Sequence, residues 1–115
     1  MDTYTEQQIV RIGGNLWEKG GKRRVYLDRD LWAQLAGLET SHYRTGNISS
    51  ATLHGERISN SYAREILGSV HKVFWDSTDG RIHIERGFTW RRCGSTPDWI
   101  REGIAREVAA NERRC

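Results

Sequence analysis

Four cations, Lys19, Lys22, Arg23 and Arg24, fall within six residues of one another and are flanked by Trp17 and Tyr26. Cations at this density neutralise phosphates, and aromatic rings beside them offer faces on which bases stack. A second group, Trp90, Arg91 and Arg92, repeats the combination in the segment 86–94. Both groups point to nucleic acid, DNA or RNA, as a ligand, and a two-stranded ribbon also fits a major groove. The competing reading is that polar turns are simply solvated and that the tryptophans belong to the core. The two groups would act together only if they shared a surface.

A third place where chemistry is expected is the helix start formed by Ser59, Asn60 and Ser61. Free amides and hydroxyls at a helix N-terminus bind anions, although plain capping needs only one such residue. His42, His54, His71 and His83 are scattered without metal-ligand spacing, and Cys93 and Cys115 form no metal or redox motif. No metal site and no cofactor are predicted. Asp76, Asp79, His83 and Glu85 lie close in sequence and would be the residues of a metal-dependent hydrolase. Asp79-Gly80 is first of all a turn signal, and no phosphate loop, dinucleotide fingerprint or nucleophile elbow is present. The expectation is a protein that is not an enzyme.

The elements that must position these residues follow from length and periodicity. A chain of 115 residues with 37% hydrophobic and 29% charged residues suits a single soluble domain, 1–115. Apolar runs are too short for a membrane span or a secretory leader, so a cytoplasmic protein with reduced thiols is expected. The net charge of +3 is modest, so its clustering matters more than its total.

Residues 1–7 are polar and expected to fray. Ile9 onward reads as a short strand, followed by a hairpin closing on Gly20-Gly21. In its second arm Arg23, Val25 and Leu27 alternate with Lys22, Arg24 and Tyr26. Asp28 caps a helix, Leu31, Trp32, Leu35 and Leu38 keep helical spacing, and Gly37 is its stop signal. Residues 39–47 read as a polar connector, and ISSATL turns through His54-Gly55 into Glu56-Arg57-Ile58. Small side chains in that strand imply close packing over it. Ser59 caps a second helix, and HKVFWD and RIHIE form a hairpin with Ile82 and Ile84 inward. Ser95-Thr96-Pro97-Asp98 opens the C-terminal helix, 95–115. The predicted fold is α+β, a small antiparallel sheet built from hairpins with about three helices against it.

The segments GGNLWEKGGKRRVYLD, TGNISSATLHGERISNSYA and KVFWD resemble short, largely uncharacterised proteins of bacterial phages and plasmids, over roughly residues 9–85. The resemblance implies a mobile-element setting and an accessory or anti-defence role, and it transfers no catalytic residue. The leading expectation is therefore a nucleic-acid-binding accessory protein. The alternative is a protein-interaction module, with a host protein or a second copy of itself as partner. Trp17, Trp90 and Trp99 would then be partly exposed binding anchors while Trp32 and Trp75 are core.

Overall fold

In the computed structural model, which describes residues 3–114, the chain forms four helices and two antiparallel sheets. The α+β expectation holds, with the strands divided between two sheets rather than gathered in one. The helices are α1 (Glu6–Arg11), α2 (Arg29–Leu35), α3 (Asn60–Gly68) and α4 (Thr96–Arg114). Strands β1 (Asn15–Lys19), β2 (Lys22–Leu27), β6 (Val70–Asp76) and β7 (Arg81–Arg86) make a four-stranded sheet in the order β1-β2-β6-β7. Strands β3 (Leu38–His42), β4 (Ile48–Leu53) and β5 (Glu56–Ile58) make the second.

Two elements differ from the expectation. The apolar run at Ile9–Ile12 is helical, because Thr5 and Gln8 close a capping box at its start. Ile9 and Ile12 are both buried, at the i, i+3 spacing of one helix face. Residues 3–7 are tied down: Tyr4 N donates to Gly80 O at 2.7 Å, and Thr3 bridges Arg81. The second difference is β3, in place of a polar connector. Only Leu38 of that strand is buried, so its partner β4 defines it more than its own pattern does.

The core lies on the inner face of the four-stranded sheet and between the helices. Val25, Leu27, Val73, Trp75 and Ile82 are buried there with Ile9, Trp32, Ile66, Ile100 and Ile104. Arg101 Nη1 on α4 donates to Ile82 O at 2.9 Å, and the Trp75 indole donates to Tyr4 O at 2.9 Å. Helices α2 and α4 cross so tightly that a Cβ on Gly103 would lie 1.9 Å from Leu35 O. Helix α3 lies on β4, the strand with small side chains, where Ala51 is buried. The caps at Asp28 and Ser59 form as expected, accepting from Leu31 N at 2.9 Å and Tyr62 N at 3.1 Å. Thr96 does not cap: its hydroxyl is buried and finds no hydrogen-bond partner among the described residues. Cys93 is a free, buried thiol whose pKa burial raises, while Cys115 lies outside the described residues. Among the described residues no helix is long and apolar enough to cross a membrane.

Candidate nucleic-acid interface

Strand alternation and sheet order together decide which side chains share the outer face of the four-stranded sheet. Gly20 and Gly21 take φ of 61° and 79°, the paired left-handed conformations of a tight hairpin turn. That turn fixes the register Trp17↔Arg24 and Lys19↔Lys22. Beside it β2 pairs with β6 as Arg24↔Asp76 and Tyr26↔Phe74, and β6 pairs with β7 as Phe74↔His83 and Lys72↔Glu85. Trp17, Lys19, Lys22, Arg24, Tyr26, Lys72, Phe74 and His83 therefore stand on one face, opposite the one that carries Val25, Val73 and Trp75.

Trp17 is 66% exposed, whereas Phe74 is 5% exposed although it points outward. Its neighbours roof it. The Arg24 guanidinium lies 4.5 Å from the Phe74 centroid, Tyr26 packs at 5.4 Å, and His83 stacks at 5.3 Å. Arg24 is held in place by Asp76 at 3.2 Å and by the Tyr26 hydroxyl at 3.4 Å. Asp76 also accepts from Thr78 N at 2.9 Å and from the Thr78 hydroxyl at 2.8 Å. These two bonds, with Arg24 behind them, hold its carboxyl below the ordinary aspartate range. The floor of the face is thus a fixed cation–aromatic layer.

Over this floor opens a cleft of about 510 Å³ lined by Trp17, Lys19, Lys22, Arg24, Tyr26 and Lys72. Four of these six residues are cations, two are aromatic and none is acidic. Lys19, Lys22 and Lys72 make no salt bridge among the described residues, so their charge is open to a ligand. The acids of this face gather toward β7, where Asp79 accepts from Arg81 N at 2.9 Å and meets His83 Nε2 at 2.8 Å. The Arg81 amide, then His83, holds the Asp79 carboxyl low.

One residue expected at this site faces the other way. Arg23 points to the inner side, where it binds Glu6 of α1 at 2.6 Å and Glu18 at 2.8 Å. Its charge is spent within the fold. The Glu6 carboxyl is correspondingly lowered, chiefly by the Arg23 hydrogen bond. Lys72 takes its place in the cleft, although nothing in the sequence around it sets it apart from a solvated strand lysine.

The second basic group is not adjacent. Strands β1 and β7 are opposite edges of the sheet, the hairpin tip lies at the Asp76 end, and Arg86 pairs with Val70 at the other. The segment after β7 is a series of turns anchored on the end of α3, not a loose loop. Gly87 N donates to Ser69 O at 2.9 Å, the Thr89 hydroxyl donates to Glu65 O, and Arg92 Nη1 binds Glu65 at 3.1 Å. Arg91 is exposed, Trp90 is half-buried, and the Arg86 guanidinium lies 5.5 Å from its centroid.

The helix start at Ser59–Ser61 is engaged internally. Ser59 caps Tyr62 N, and Asn60 Nδ2 donates to Ile48 O at 3.1 Å, which leaves Ser61 exposed beside them. Ser59 and Asn60 thus serve capping and a contact to β4, while the Ser61 hydroxyl faces outward. Among the described residues no three His, Cys, Asp or Glu side chains come together as metal ligands would. Comparison with protein-family models, curated proteins and solved structures returned no match, so the site is read on its own geometry.

Proposed function

We propose that the protein is a small non-enzymatic domain that binds nucleic acid on the outer face of its four-stranded sheet, in the cytoplasm. The observation that carries this reading is the cleft itself: Lys19, Lys22 and Lys72, which form no salt bridge among the described residues, line it together with the exposed ring of Trp17. Phosphates meet the lysines, and a base lies on Trp17. Arg24, paired with Asp76 and stacked on Phe74, supplies a fixed floor to the cleft, and the unpaired lysines supply its open charge. The mobile-element setting implied by the sequence resemblance fits an accessory role for such a domain. The test is tryptophan fluorescence during titration with single-stranded and duplex DNA and RNA at two salt concentrations. Saturable quenching that weakens with salt and disappears in Trp17→Phe supports the reading. No response to any nucleic acid at low salt would overturn it and turn attention to a protein partner for the same exposed tryptophan.

A further inference from the structure

The two basic groups stand at diagonal corners of one sheet, yet the clefts between them share walls. The Trp17 cleft and the next one both include Tyr26 and Lys72. That second cleft and the one lined by Arg86–Arg92 both include Arg86, Gly87 and Phe88. We infer that a single strand of nucleic acid runs along this series, from Trp17 past Lys72 to Phe88 and Arg91. The inference rests on the nucleic-acid reading of the sheet face and adds the form of the ligand and its path.

Phe88 is the residue that makes the path specific. It is 89% exposed, an unfavourable position for an apolar ring in water. Its ring lies against the end of α3, where a Cβ on Gly68 would come within 2.5 Å of it. A side chain on Gly87 would lie 2.0 Å from Gly68 O, so the backbone before Phe88 is seated directly on the end of α3. An exposed aromatic on a tightly seated backbone, sharing a cleft with Arg86, Arg91 and Arg92, is what a stacked base requires, whatever its identity. Asp28 is the one acid lining the middle cleft, and its Oδ1 already accepts from Leu31 N.

The path also selects for a single strand. The register places Arg24 beside Asp76 and Arg86 beside Val70, about 20 Å apart along β6 at the ordinary rise per residue. The middle cleft is lined by Tyr26 and Lys72 of the outer face together with Val73 of the inner face and Trp32 and Leu67 of the helices, so the track leaves the flat face and turns over the end of the sheet. A duplex, stiff over about 150 base pairs, does not follow a turn this short, and its bases are not free to stack on Phe88 or Trp17.

Fluorescence anisotropy with labelled oligonucleotides tests this, using the full chain. Oligomers of about 4 and about 12 nucleotides, the range one small domain occupies, are compared with a duplex of the longer sequence. The longer single strand is expected to bind about tenfold tighter than the short one, the lower range of one stacked base. Phe88→Ala should remove that gain and leave the short oligomer unaffected, while Trp17→Ala weakens both. Phe88→Leu, which keeps an apolar side chain without a ring, should behave like Phe88→Ala and so separates stacking from packing. Equal binding of both lengths, a silent Phe88→Ala, or duplex binding as tight as single-strand binding would overturn the path while leaving the sheet-face reading standing. Failure of every oligomer to bind would remove both.

Discussion

Neutralising Lys19, Lys22 and Lys72 together should lower the salt dependence of nucleic-acid binding by an amount set by geometry. Each lysine lines the cleft, and none forms a salt bridge among the described residues, so each is counted as one phosphate contact. A contact to a single strand contributes about 0.7 to the slope of log affinity against log salt. Three contacts therefore contribute about 2.1. Between 50 and 200 mM salt, the affinity ratio of parent to triple alanine variant should shrink by roughly 18-fold; for a double variant it should shrink by roughly sevenfold. Anisotropy titrations at four or five salt concentrations read the slope directly. Arg57→Ala is the matched control, since Arg57 is an exposed cation on β5, in the other sheet. The reasoning is refuted if Arg57→Ala lowers the slope as much as one cleft lysine does, because net charge rather than the cleft would then be responsible. It is equally refuted if the triple variant keeps the parent slope.

Four further expectations concern the fold. Gly103→Ala should destabilise by about 2 kcal/mol or more in denaturant unfolding, because clash with the Leu35 carbonyl outweighs a helix-propensity gain of about 1 kcal/mol. Thr96→Val, which removes a buried hydroxyl without a partner, should raise stability by about 1 kcal/mol on the same assay; a loss would show that the hydroxyl is satisfied in solution. The lowered carboxyls of Asp76, Asp79 and Glu6 contribute stability that is complete above the unfolded-state value near pH 4 and is lost as pH falls through their folded values. Thermal melts across this range should show the loss, and Asp76→Asn should flatten it. In a Cys115→Ser background the Cys93 thiol should react with thiol reagents only on unfolding, since it is buried and its pKa is raised.

Much of the fold was legible because local signals agreed with their tertiary setting. Alternation in the β6–β7 hairpin, the Gly20-Gly21 turn and the caps at Asp28 and Ser59 were all readable. So was the division of the tryptophans, with Trp32 and Trp75 buried, Trp17 exposed, and Trp90 and Trp99 partly exposed, both packed against the core. Helix α1 was misread because Ile9, Val10 and Ile12 favour strands, although the Thr5–Gln8 capping box was present in the sequence. Strand β3 gave no signal because its stability comes from pairing with β4. The site shows the same limit. Alternation already separated Arg23 from Lys22 and Arg24, but without α1 there was no Glu6 to claim it. Lys72 joins the cleft only because β6 lies beside β2, a pairing that no local pattern encodes. Phe88 looks like an ordinary loop aromatic until Gly68 and Gly87 are seen beneath it.

The pairing of β2 with β6 also sets when the cleft comes into existence. Val25 and Trp75 are neighbours in the sheet but fifty positions apart in sequence, whereas each flanking hairpin closes over a few residues. At translation rates of about 5–20 residues per second, the first hairpin leaves the ribosome roughly 3–10 s before its partner strand does. Closing that long loop is the costly step, and Tyr26 and Lys72 meet only when it is complete. Nascent or partly folded chains therefore carry the lysines of the first hairpin but no assembled groove, which exists only in molecules that have finished folding.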